Sequence, residues 1–222
     1  MIDGLFKTHI DPMWERLARP LASAGLTPNQ VTLIGLVLVA VNVAAFSVHR
    51  SVAVLGLGLV VAFAFDALDG AVARIRGLST RRGGYLDAVV DRYQELAMMA
   101  ALGWASEAWP AALLGLAGAY LTSYAKARTA IEIPVDNDRW PDLFERQERI
   151  IFLCALMILA GAAFGPMGLE RPVLVGGLWL YAALTNFTAL QRAARAWEML
   201  RRVDESDPLP PRRPRPADEG RV

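Results

Sequence analysis

Runs of apolar residues near 31-48, 52-70, 88-108, 109-127, 149-168 and 172-197 alternate with short polar stretches along the chain. Each run approaches the roughly 20 residues that a helix needs to cross about 30 Å of hydrocarbon. A soluble bundle with buried helices explains one such run but not six of them separated by short loops. The pattern therefore predicts an all-α membrane protein with six transmembrane helices. Ahead of the first run, Ile2, Leu5, Phe6, Ile10, Met13, Trp14 and Leu17 recur at helical spacing, with Lys7, Asp11, Glu15 and Arg16 between them. That predicts an N-terminal amphipathic surface helix over residues 1-26, lying on the membrane or against the bundle. Thr27-Pro28-Asn29 punctuates the chain, with Thr27 as a helix cap and Pro28 in the first helical turn. The six-helix domain then covers 27-202, and residues 203-222, rich in proline and charge and without aromatics, read as a disordered tail. There is no internal repeat and no sign of a second folded domain.

Composition agrees: 55% of the 222 residues are hydrophobic, which is too apolar for an ordinary soluble domain. The net charge of +1 gives no basis for a nucleic-acid partner. Its distribution is informative. Of the 23 basic residues, only Arg50 and Arg171 fall in the loops opposite the N-terminus, and Arg92 stands at the start of a span. The others crowd the remaining loops and the two ends, so both termini are expected to face the cytoplasm across the cell (inner) membrane. Residues 1-25 mix charged and apolar groups and form no apolar core of a cleavable signal. Cys154 is the only cysteine, lies in an apolar run, and reads as a packing residue.

Residues 66 to 91 place four carboxylates where a membrane protein should least hold them. Asp66 and Asp69 are three positions apart and Asp87 and Asp91 four apart, so each pair is expected on one face of its helix. The loop between the pairs contains Gly77, Gly83 and Gly84 and is short enough to fold two helices antiparallel, bringing all four together. Clustered like charges repel, and divalent cations relieve that repulsion. Oxygen-only ligands favour Mg²⁺ or Mn²⁺ over Zn²⁺, and such ions commonly hold phosphate oxygens. Gly70 and Ala73 leave space for a phosphate or nucleotide beside the carboxylates, and Arg74 can neutralise its charge.

The pattern Asp66-x2-Asp69-Gly70-x2-Ala73-Arg74-x8-Gly83-x3-Asp87-x3-Asp91 resembles the complete signature of the CDP-alcohol phosphotransferases, also called CDP-alcohol phosphatidyltransferases. The likeness covers about residues 27-200. It implies a membrane enzyme of phospholipid synthesis that transfers a phosphatidyl-type group from CDP-diacylglycerol, or an ether-lipid equivalent, to an alcohol with release of CMP. It further implies that Asp66, Asp69 and Asp87 ligate two divalent ions and that Asp91 completes the cluster and acts as general base. Gly70, Ala73, Arg74 and Gly83 would bind the CDP donor, together with Asp66 and Asp69. Asn29 and Thr32 also resemble the family's pattern before the first span, although Asn29 has a second reading as a helix cap. A homodimer is implied by the likeness alone.

Ser123-Tyr124-Ala125-Lys126-Ala127-Arg128, Glu145-Arg146-Gln147-Glu148-Arg149 and Gln191-Arg192 resemble the corresponding segments of prokaryotic phosphatidylinositol-phosphate synthases. On that likeness Ser123, Lys126, Arg149 and Arg192 would hold the phosphate of an inositol phosphate acceptor. Three cations from three span ends suit a dianionic phosphate, whereas a neutral acceptor does not need them. Their alternative role is as ordinary cytoplasmic-side charges. Residues 92-95, Arg-Tyr-Gln-Glu, depart from the arginine, small residue and aspartate usual at that place. Glycerol 3-phosphate, serine or CDP-inositol as substrate are alternatives within the family, and a cation transporter is the remote one. The last is disfavoured by carboxylates near one surface and by the missing repeat.

Overall fold

The computed structural model describes residues 2–135 and 143–208, with side chains from Pro12 onward. Among these residues the chain is helical, from α1 (Ile2–Ser23) and α2 (Pro28–His49) through α3 (Val52–Asp66), α4 (Leu68–Arg76), α5 (Arg81–Ser106), α6 (Trp109–Glu132) and α7 (Arg146–Leu159) to α8 (Glu170–Ser206).

Local chemistry sets the boundaries. Thr27 and Gln30 form a reciprocal cap at the start of α2: the Thr27 hydroxyl accepts from the Gln30 N–H at 3.3 Å, and Gln30 Oε1 accepts from the Thr27 N–H at 2.8 Å. Pro28 supplies the first helical residue without leaving an N–H unsatisfied. Ser51 caps α3 and Thr80 caps α5, whereas Gly77 ends α4 in the left-handed region at φ 63°.

Among the described residues, four segments are long and apolar enough to cross a membrane: Pro28–His49, Val52–Arg76, Arg146–Met167 and Glu170–Ser206. α5 and α6, expected as the third and fourth spans, are less apolar. α5 carries Asp87, Asp91, Arg92, Gln94 and Glu95 in its first half, and α6 carries Ser, Thr, Tyr, Gly and Lys. The fifth run is helical to Leu159 and then widens into a π turn over Ala160–Phe164 and a 3₁₀ turn over Gly165–Met167.

Two expectations are corrected. The run 52-70 is not one straight helix: α3 stops at Asp66, Ala67 turns with ψ −11°, and Asp69 belongs to the first turn of α4. Asp66 and Asp69 therefore do not share one face of one helix. At the other end, α8 continues through Ser206, so 203–206 are helical rather than the beginning of the tail. A helix of 37 residues is about 55 Å long, well beyond the hydrocarbon thickness. Positions 209-222 of that tail lie outside the described residues.

The main core joins α2, α3, α5, α7 and α8 around Val39, Leu55, Leu59, Met98, Leu102, Leu153, Met157 and Leu178. A smaller cluster seats Trp14, Ala18 and Leu21 of α1 against Leu68, Ala71 and Val72 of α4, with Val31. Arg76 Nη1 fixes the same junction by donating to Gly25 O and Leu26 O at 2.7 Å each. Small residues bring α6 against α8. A Cβ on Gly118 would stand 2.6 Å from Thr185 Oγ1 and 2.7 Å from the Asn186 backbone nitrogen. Large apolar side chains such as Val37, Val41, Leu57, Val61, Leu113 and Phe187 are exposed, as suits helices facing lipid.

Candidate active site

Asp66 ends α3, and Asp87 and Asp91 lie one turn apart on α5. An oxygen from each lies within 4.8 Å of the others. Gly35 of α2 makes room: a Cβ there would stand 3.2 Å from Asp66 Oδ1 and 3.3 Å from Asp66 Cα. Asp66 is 4% exposed and Asp91 9% exposed. Gln94 Nε2 donates to Asp66 Oδ1 at 3.0 Å, and Arg146 Nη2 donates to Asp66 Oδ2 at 3.1 Å and to Gln94 Oε1 at 2.9 Å. The same nitrogen forms an ion pair with Asp91 Oδ1 at 2.6 Å. No N–H is aligned on Asp91 Oδ1, which is a buried oxygen without a hydrogen-bond donor among the described residues. Three clustered carboxylates, which offer oxygen ligands alone, fit a hard divalent cation such as Mg²⁺ or Mn²⁺.

Asp69 is not part of that mutual 4.8 Å triplet, though it neighbours Asp66 and Asp87. It faces α2, where the Thr32 hydroxyl donates to Asp69 Oδ2 at 2.5 Å. Gly83, in the first turn of α5, abuts Asn29, whose Oδ1 would lie 3.3 Å from a Cβ at that position. The first turns of α2 thus meet α4 through Thr32 and α5 through Asn29. Gly70 is roomy: a Cβ would find only Arg74 Nη1, at 3.7 Å. Ala73 and Arg74 follow on the same short helix.

Beside Asp91 opens a cavity of about 760 Å³, lined among others by Asp91, Arg92, Tyr120, Ser123, Lys126 and Arg192. α6 contributes Ser123 and Lys126, and α8 contributes Arg192, whose Nη1 donates to Thr122 O at 2.7 Å. Arg92 donates to the Ser123 hydroxyl. Three of the four expected acceptor residues therefore line one space next to Asp91. Arg149 does not. It is 2% exposed, with Nη2 2.8 Å from Glu95 Oε1 and Nη1 3.4 Å from Phe144 O.

Arg146, Arg92, Gln94 and Glu95 were missed as site residues. Two polar side chains, Gln94 and Glu95, inside an apolar run were a legible signal. Which arginine of the pair Arg146 and Arg149 reaches the carboxylates was not legible, because three positions on a helix decide it.

The chain matches the family described as CDP-alcohol phosphatidyltransferase over residues 25–188. It is 32% identical over 188 residues to the archaetidylinositol phosphate synthase of Pyrococcus horikoshii, covering 84% of this chain and 92% of that protein. It is 38% identical over 192 residues to the phosphatidylinositol phosphate synthase of Mycobacteroides abscessus, covering 80% and 82%. Its fold is similar to the crystal structure of the Mycobacterium tuberculosis phosphatidylinositol phosphate synthase with CDP-DAG bound: TM-score 0.72, 30% identity, 84% of this chain and 94% of that one. A second structure of that synthase, in complex with manganese and citrate, also gives a TM-score of 0.72 at 30% identity, covering 83% and 88%.

Proposed function

The chain belongs to the CDP-alcohol phosphatidyltransferase family, and from that premise we propose that it transfers a phosphatidyl group from CDP-diacylglycerol to the hydroxyl of an inositol phosphate, releasing CMP. It is a multi-pass membrane enzyme of phospholipid synthesis. The observation that carries the acceptor reading is the cavity in which Ser123, Lys126 and Arg192 stand beside Asp91. Cations on two different helices suit the dianionic phosphate of the acceptor better than a neutral alcohol.

Asp66, Asp87 and Asp91 are the residues that would hold divalent metal, with Asp69 completing the set for a second ion. When bound, such ions neutralise phosphate charge and stabilise attacking and leaving oxygens in a displacement at phosphorus. Asp91, which borders the acceptor cavity, takes the proton from the acceptor hydroxyl. The new bond forms between that oxygen and the lipid-linked phosphorus, while the bond from this phosphorus to CMP breaks. Arg74 balances charge on the leaving phosphate, and Gly70, Ala73 and Gly83 leave room for the nucleotide. Asn29 and Thr32 border the same corner. Six spans, both termini at the cytoplasmic face of the cell membrane, α1 at the membrane surface and a homodimeric assembly complete the reading.

Purified protein given CDP-diacylglycerol, Mg²⁺ or Mn²⁺ and a panel of inositol phosphate, glycerol 3-phosphate, serine and free inositol tests it. CMP release is expected to be fastest with inositol phosphate, and a preference for serine or free inositol sinks the acceptor assignment.

A further inference from the structure

We propose that Arg92 is an additional acceptor-phosphate contact, and that the buried Glu95–Arg149 pair is the device that holds it ready. This rests on the acceptor reading above.

Arg92 follows Asp91 on α5, so its side chain is turned about 100° from the carboxylate cluster. It lines the cavity with Ser123, Lys126 and Arg192. Its guanidinium is fixed from several sides. It donates to the Ser123 hydroxyl, lies 3.6 Å from Asp91 Oδ2 and 3.4 Å from Glu95 Oε2, and sits 6.0 Å from the centroid of the Tyr120 ring. The Tyr120 hydroxyl donates to the Arg92 carbonyl at 2.6 Å, which secures the backbone as well.

The bland alternative is that Arg92 merely neutralises its two carboxylate neighbours. Arg92 does share in their charge balance, but neither carboxylate depends on it alone, because each has a nearer guanidinium. Asp91 has Arg146 at 2.6 Å against 3.6 Å for Arg92. Glu95 has Arg149 at 2.8 Å against 3.4 Å for Arg92, and Glu95 Oε2 accepts no hydrogen bond. A contact beyond about 3.2 Å is a weak bond for a charged donor. Glu95 is 1% exposed and Arg149 2%, so their pair is sealed behind Arg92. Arg149 cancels the charge of Glu95, while Glu95 still offers Arg92 a loose anchor. Of the three guanidiniums in this cluster, Arg92 is the one that lines the cavity, and a planar guanidinium beside a hydroxyl suits a phosphate monoester.

Arg149 thereby acts on the acceptor from one carboxylate away, through Glu95, and both are positioning residues. Removing Arg149 would leave Glu95 to claim Arg92 and withdraw its charge from the cavity. Removing Glu95 as well would release Arg92 again.

The test uses the full chain in detergent or vesicles and inorganic phosphate as a probe that competes with the acceptor. In Arg92→Gln the acceptor KM and the inhibition constant of phosphate should both rise at least about tenfold, as the loss of one charge-assisted contact implies. The donor KM should stay within about twofold, and Arg92→Lys should fall between wild type and Arg92→Gln. Arg149→Gln should raise acceptor KM several-fold, and the double variant Glu95→Gln/Arg149→Gln should recover most of that loss. A merely structural role would move donor and acceptor KM together. The proposal is overturned if Arg92→Gln leaves acceptor KM and phosphate inhibition unchanged, or if the double variant is no better than Arg149→Gln. The wild-type arm separates the two levels: wild type indifferent to phosphate and preferring an unphosphorylated alcohol overturns the acceptor reading itself, and this proposal with it.

Discussion

Arg146 Nη2 lies 2.6 Å from Asp91 Oδ1 and 3.1 Å from Asp66 Oδ2, so one guanidinium from α7 bridges carboxylates on α5 and α3. It balances part of the charge that Asp66, Asp87 and Asp91 accumulate within 4.8 Å of one another. Arg146→Gln should therefore lower stability by about 1.5–3 kcal/mol when divalent metal is chelated, the range for hydrogen bonds to charged groups. Mn²⁺ or Mg²⁺ should restore much of the loss, because ion binding stabilises the folded state. Thermal melting with excess EDTA and with added metal checks this; equal melting shifts for wild type and variant would show that Arg146 does not share the carboxylates' charge balance. In wild type, EDTA should also abolish turnover.

Asp91 belongs both to the acidic triplet and to the wall of the cavity lined by Ser123, Lys126 and Arg192. Asp91→Asn keeps the shape but cannot accept a proton, so turnover should fall by at least about a hundredfold, the usual weight of general-base catalysis. Donor binding should persist. Measuring CMP release beside CDP-diacylglycerol binding distinguishes loss of chemistry from loss of the site, and near-normal turnover would remove Asp91 from the role of base.

Lys126 and Arg192 reach the cavity from α6 and α8, whereas Arg74 lies on α4 beside the roomy Gly70. Lys126→Ala and Arg192→Ala should each weaken acceptor kcat/KM about tenfold to a hundredfold, with the donor nearly unaffected. Arg74→Ala should show the opposite preference. Steady-state kinetics with each substrate varied in turn decides it, since equal effects on both substrates would reduce these residues to topology charges.

The cavity's two basic walls are joined where Gly118 meets Thr185 and Asn186. A methyl at Gly118 would fall 2.7 Å from the Asn186 backbone nitrogen, which cannot swing aside as a side chain would. Gly118→Ala should cost about 1–3 kcal/mol through overpacking and push α6 away from α8. Lower melting temperature together with a raised acceptor KM is the expected result; unchanged values for both would mean the helices yield without moving Ser123, Lys126 or Arg192.

The sequence by itself determined the helical membrane architecture, because long apolar runs have few other stable forms in hydrocarbon. It also determined the capped start of α2, since Thr27, Pro28 and Gln30 act within one turn, and the family, since the aspartate signature is a local pattern. Helical spacing alone put Asp87 and Asp91 together on α5. Tertiary structure decided the rest. The turn at Ala67 sends Asp66 toward Gln94 and Arg146 and leaves Asp69 to Thr32, a divergence that three-residue spacing on one ideal helix does not reveal. Arg146 and Arg149 look equivalent in the sequence and share a face of α7, yet one meets the aspartates and the other is sealed against Glu95, because they stand about 4.5 Å apart along the axis and helix docking decides what each level meets. Pairings between residues far apart in the chain depend on how the helices dock, and no local pattern encodes that.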